Sequence, residues 1–214
     1  MSGLLRELAK VRVSSGFVIQ GLFIAFVLAQ PVEFPKLSPA ELKKLEAHEV
    51  VIRELKPTDD RGVSGETLGV IDAPPSEVWP VVRDCEYFSS FLPSTKTSSR
   101  KTEGEDTICF DEIALPFPLI NLWADTKSVS REGPVGYFKR EWSFVRGTYR
   151  RNQGSWTVVP WSADGRSSLV VYFVDSDPAI LVPDVILRAA QGGSLPQVIV
   201  GIRKRVSSLR TAAK

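Results

Sequence analysis

Residues 177–209, DPAILVPDVILRAAQGGSLPQVIVGIRKRVSSL, decide how this chain is built. An apolar segment, Ile180 to Ala190, is followed by Gly192-Gly193 and then by Val198, Ile199, Ile202, Val206 and Leu209 at three- and four-residue spacing. That spacing predicts one inward-facing apolar stripe on a long amphipathic helix. Ser194 is in position to cap it, and Pro196 sits near its start. The glycine pair reads either as a hinge or as the C-cap of the preceding apolar turn. A closing helix of this kind needs a broad apolar surface to lie on.

The preceding sequence supplies that surface. From Thr95 onward the apolar period becomes two. Thr107–Ile113 sets Ile108 and Phe110 against Thr107, Cys109 and Asp111, and Tyr137–Arg146 puts Phe138, Arg140, Trp142, Phe144 and Arg146 on one face. Trp123–Ser130 alternates less cleanly. Gly154–Trp161 and Ser167–Val174 complete a meander with glycine turns at Gly133, Gly136, Gly147 and Gly165. Strands joined by turns and not by helices form an antiparallel sheet. Upstream, Val50–Leu55 and Gly65–Ile71 read as two more strands around the turn Asp59-Asp60-Arg61-Gly62. Ser76 is expected to cap a short helix through Asp84, and Tyr87, Phe88, Phe91 and Leu92 mark another, stopped by Pro93. Ser38-Pro39-Ala40-Glu41 has the residues of a helix start, with the helix expected to run to about Glu49. The fold class is therefore α+β: a curved antiparallel sheet around a long C-terminal helix, enclosing a cavity.

The 214 residues are 43% hydrophobic and 24% charged, enough to fill a core. A net charge of +2 gives no field that would attract nucleic acid, and none is expected as a partner. The cluster Arg203-Lys204-Arg205 either complements the last helical turn or touches anionic lipid heads. One histidine, His48, and two cysteines leave too few ligands for a zinc-type site, so neither metal nor cofactor is expected. Arg6, Lys10 and Arg12 precede an apolar run, Phe17–Ala29, shorter than the roughly 20 residues of a membrane span. It reads as a signal peptide cleaved after Ala29, or alternatively as a membrane anchor through residues 17–29. The expected organisation is a signal peptide at 1–29, a helical extension at 30–49 and a ligand-binding domain at 50–214, in a secreted or periplasmic protein. In an oxidising compartment Cys85 and Cys109 can form a disulfide; two buried thiols are the other reading.

Three stretches resemble one family. GVIDAPPSEVWPVVRDCEYFSSFLPS (69–94) resembles the opening of helix-grip proteins of the START and SRPBCC superfamily, where an alanine-proline pair leads into a helix carrying Val-Trp. ALPFPLINLWADTKSV (114–129) is similar to their proline-rich loop and following strand, and VPDVILRAAQGGSLPQVIVGIRKRV (182–206) to their closing helix. The resemblance implies an incomplete antiparallel barrel gripping the C-terminal helix, with a tunnel for a lipid, sterol, quinone or polyketide.

The expected ligand contacts are Phe110, Trp123, Trp142 and Phe144, with Arg140 and Tyr172, from the sheet and Ile199 and Ile202 from the helix. No catalytic residue is assigned in this reading. A cyclase-like enzyme is the alternative, with Glu112 or Asp125 facing Arg140 across the sheet. An interaction protein with a merely structural core is a third. The expected partners are a hydrophobic small molecule and, transiently, a membrane surface touched by Phe117, Leu119 and Ile120; the chain is expected to act as a monomer.

Overall fold

The computed structural model describes residues 34–212. The expected signal peptide or anchor, residues 1–29, lies outside the described residues. The capping box at Ser38 forms as its spacing requires: the Glu41 N–H donates to Ser38 Oγ, and the Ser38 N–H to Glu41 Oε2. It opens α1 (Pro39–Glu46), which stops short of Glu49 because His48 takes a left-handed φ of +58°.

The order continues through β1 (Val51–Leu55), β2 (Val63–Ile71), α2 (Pro75–Arg83) and a 3₁₀ segment, Cys85–Ser90. The meander follows: β3 (Thr95–Glu103), β4 (Asp106–Ile113), β5 (Leu122–Glu132), β6 (Phe138–Gly147), β7 (Tyr149–Pro160) and β8 (Ser168–Pro178). Then come α3 (Asp184–Ala189), a π-helical turn (Ala190–Ser194) and α4 (Leu195–Ala212). Ser76 does not cap α2. Pro74 takes that position and Pro75, with its φ preset for a helix, begins the first turn. The capping side chain belongs to Asp84 instead, which accepts the Glu86 N–H and opens the 3₁₀ segment.

Among the described residues, the eight strands join one antiparallel sheet in the order β1-β2-β8-β7-β6-β5-β4-β3. The sheet curves around α4, the helix-grip architecture the sequence predicts. Ile199, Ile202 and Val206 of α4 meet Trp156, Val158 and Val170 of the sheet and Val78, Trp79 and Val82 of α2. Two glycines set this approach: a Cβ at Gly69 would collide with Ile199, and one at Gly201 with the Phe91 carbonyl. On the opposite sheet face, α1 covers a second core with Leu45 over Val51, Leu68, Val70, Val159, Leu169 and Val171. Cys85 and Cys109 are bridged, with Cα atoms 6.0 Å apart, tying the 3₁₀ segment to β4.

Candidate functional site

The sheet, the first turn of α4, α3 and the β4–β5 loop together line a cavity of about 410 Å³. Ile113, Leu122, Val174, Leu195 and Val198 supply aliphatic wall. Trp142, Trp156 and Tyr172 form an aromatic one: Trp142 stacks on Tyr172 at 5.8 Å, and Tyr172 meets Trp156 at 4.3 Å between centroids. Leu115, Pro116, Val182, Ile186 and Leu187 surround the outer end.

The deep end is polar. Arg140 projects inward from β6 and is only 2% exposed. Its Nη2 donates to Ser128 Oγ at 2.8 Å and lies 3.0 Å from Cys109 Sγ, its Nη1 donates to the Val82 carbonyl at 3.4 Å, and the guanidinium sits 5.2 Å from the Phe88 ring centroid. Its Nε is buried without a partner. Asp111 lines the same cavity from β4, and its buried Oδ1 is likewise unpartnered. Burial pushes the Asp111 carboxyl up to about 7 against the pull of the Arg140 charge. Burial also lowers Arg140 to about 10, opposed first by Asp111, and leaves it a cation at neutral pH. The phenol of Tyr172 is raised, by burial first and then by the Asp111 charge. A donor and an acceptor left unsatisfied in low dielectric are costly, and a ligand group offering both functions would relieve both.

Of the residues expected to contact a ligand, Arg140, Trp142 and Tyr172 line the cavity; Phe110, Trp123, Phe144, Ile199 and Ile202 do not. On β4 the odd-numbered residues Cys109, Asp111 and Ile113 face inward, so Phe110 turns out and meets Trp123 on the outer face at 6.1 Å. Phe144 packs beside the outer end with Leu122, Tyr149 and Val182. A bulge between Asp125 and Thr126 puts Arg146 opposite Asp125, off the face Phe144 occupies, and Arg146 Nε binds Asp125 Oδ2 at 2.7 Å. Ile199 and Ile202 are wholly used in the core, and Leu195 and Val198, nearer the helix start, meet the cavity. Neither Glu112 nor Asp125 faces Arg140. Glu112 is held outside by Asn121 at 2.6 Å and Lys96 at 3.1 Å, which lower its pKa. Among the described residues Asp111 is the one carboxylate lining the cavity.

Residues 71–201 match the family described as polyketide cyclase / dehydrase and lipid transport, more than half of the chain. No curated protein sequence matches. Among solved structures, the fold is similar to a STAR-related lipid transfer protein from Xanthomonas axonopodis (TM-score 0.63, 17% identity, covering 74% of this chain and 93% of that one). It is also similar to human StAR-related lipid transfer protein 5 (TM-score 0.62, 12% identity, 75% and 83%). A START superfamily protein from Mycobacterium smegmatis gives 0.53 at 15% identity, over 68% and 98%. The inward-facing cavity, the gripped helix and the match over 71–201 agree, and the chain belongs to the polyketide cyclase/dehydrase and lipid transport family.

Proposed function

We propose that the protein binds one hydrophobic small molecule in this cavity, apolar body against the aromatic wall and a single polar end between Asp111 and Arg140, and carries it between membranes. The observation that carries this reading is the pair of unpartnered buried atoms, Asp111 Oδ1 and Arg140 Nε, in a mainly apolar cavity. A volume of about 410 Å³ lies within the ~300–1,000 Å³ of small-molecule sites. Apolar surface buried there contributes roughly 25 cal/mol per Å². A hydroxyl such as that of a sterol or a reduced quinone donates and accepts at once, which suits this pair. The test is native mass spectrometry of the purified chain followed by organic extraction. A stoichiometric apolar molecule with one polar end is expected; a clean apo mass after incubation with mixed lipid vesicles overturns the reading.

Loading requires a route from a bilayer. Phe117 is 97% and Ile120 64% exposed on the β4–β5 loop, and Leu181, 91% exposed, precedes α3 beside the outer end of the cavity. These side chains are the proposed membrane contact. The Cys85–Cys109 bridge supports an oxidising location, in keeping with export after cleavage at Ala29 or anchoring through residues 17–29.

A second reading has one specific observation behind it. A cavity carboxyl at about 7 beside a fixed cation is suited to acid–base work, so a cyclase would use Asp111 with Arg140. Loss of turnover without loss of affinity in Asp111→Asn would favour it; loss of affinity alone would exclude it.

A further inference from the structure

Arg140 is a buried cation without a counter-ion. Two other partly buried arginines are neutralised where they stand: Arg151 by Asp175 at 2.9 Å, and Arg53 by Glu41 at 2.6 Å and Glu66 at 3.0 Å. Arg140 lies deeper than either. Yet among the described residues its nitrogens reach Ser128 Oγ, Cys109 Sγ and the Val82 carbonyl, and no carboxylate forms an ion pair with it. The Phe88 and Trp142 rings, 5.2 and 6.0 Å from the guanidinium, give it a soft cation–π bed but no negative charge. A buried charge left uncompensated is costly, and the unpartnered Nε lies in the lining of the cavity.

Asp111 shares the cavity but does not supply that charge. Burial pushes its carboxyl up to about 7, so below neutral pH it carries its proton. The other groups around the two add no anion. Tyr149 and Tyr172, from β7 and β8, stay neutral phenols, both raised by burial. Asp84, ahead of the 3₁₀ segment, is paired with Arg100 at 3.2 Å, and Asp125 on β5 is paired with Arg146. Cys85 and Cys109 are bridged. The helices α3 and α4 bring only apolar side chains to the lining, apart from Ser194 before α4. With its proton in place, Asp111 is a donor like the Arg140 Nε–H. A pair of donors beside one fixed positive charge is the chemistry of a carboxylate site. A hydroxyl would occupy the same atoms and leave the charge of Arg140 unanswered.

We infer that the polar end of the ligand is a carboxylate, held by the Arg140 guanidinium and the O–H of a protonated Asp111, and that the ligand is an apolar acid of the fatty-acid or aryl-acid class. This rests on the cavity-binding reading above and specifies its polar group. Binding then carries a proton with it. Where Asp111 is ionised in the empty protein, the incoming anion draws a proton from solvent onto that carboxyl, because two carboxylates side by side repel.

Isothermal titration of the full chain with decanoate, decanol and methyl decanoate, all below micelle-forming concentrations, tests this. At pH 6 decanoate should bind about 10- to 100-fold tighter than either neutral analogue, the factor a hydrogen bond to a charged group allows. At pH 8 its Kd should be about 10-fold weaker than at pH 6, with proton uptake read as a heat that depends on the buffer, and decanol should take up no proton. Arg140→Met should lose the preference for the acid. Asp111→Asn keeps the cation and removes only the titration, so it should bind decanoate equally at both pH values without proton uptake; this variant decides even where Arg140→Met fails to fold. Neutral analogues that match decanoate at pH 6, a decanoate Kd indifferent to pH, or proton uptake that persists in Asp111→Asn overturns the carboxylate site while leaving the cavity reading standing. Failure of all three probes to bind overturns the cavity reading, and this inference with it.

Discussion

Cys109 and Asp111 stand two residues apart on the same face of β4, so the bridge from Cys109 to Cys85 also dictates that Asp111 looks into the cavity. In a strand, alternate residues share a face, and fixing one fixes the next but one. The disulfide therefore does more than staple the 3₁₀ segment to the sheet. It holds Arg140 as well, whose Nη2 lies 3.0 Å from Cys109 Sγ.

Removing the bridge should cost stability without abolishing the fold. The closed loop has a sequence separation of 24, for which chain entropy gives about 3.5 kcal/mol. Cys85→Ser with Cys109→Ser is expected to lower the urea midpoint accordingly, and a thiol reductant should do the same to the wild-type protein. A midpoint indifferent to both would mean that the bridge constrains nothing.

Asp111 gives stability an uncommon pH dependence. Its carboxyl moves from 3.8 up to about 7 on folding, so between those values the folded chain holds more protons than the unfolded one. Its contribution to stability is then greatest below pH 4, falls as pH rises toward 7, and is constant above. Asp111→Asn removes this slope, and at pH 8 the variant should be the more stable by about 1–4 kcal/mol. Thermal melts of both proteins from pH 4 to pH 8 test it; parallel curves would refute the burial argument.

Arg140 is the charge that holds the Asp111 pKa down. Arg140→Met should raise that pKa above 7 and destabilise the protein at pH 8 by about 3–5 kcal/mol, since a buried carboxylate is left alone. Coupling Arg140→Met with Asp111→Asn should return most of that loss. Carboxyl NMR titration and melts of the three variants decide; additive losses would show that the two groups do not sense each other.

Helix order, strand order and the gripping helix were legible because periods of 3.6 and 2 follow from where backbone geometry points each side chain. The inner face of β4 was not. Phe110 and Asp111 alternate equally well in either parity, and apolar preference favours Phe110 inside. The cysteines were the available signal, had their pairing been taken to place Cys109 under the 3₁₀ segment. The α4 stripe was likewise correct as a stripe, but periodicity does not say which end of a helix touches a core and which a space. That depends on Gly69 and Gly201, whose missing side chains draw the Ile199–Val206 stretch into contact. The bulge at Asp125–Thr126, which separates Phe144 from Arg146, left no mark in the residues themselves.

The exposed apolar tips should matter for transfer and not for folding. Phe117→Asp with Leu181→Asp removes side chains that are 97% and 91% exposed, so the melting temperature should hardly move. Transfer of a fluorescent sterol between phosphatidylcholine vesicles should slow several-fold. Unaltered transfer would disconnect these tips from loading. Leu119, half-buried on the same loop, is the less informative target.

Along α4 two tasks are written at separate addresses. Leu195 borders the cavity, Val198 borders it and also packs in the core, and Ile202 and Val206, toward the other end, clamp the helix to its sheet and to α2. A substitution at Leu195 can therefore reshape the cavity while the clamp survives. The cavity of this frame can change shape by small steps at that end of the helix, without passing through chains that no longer fold.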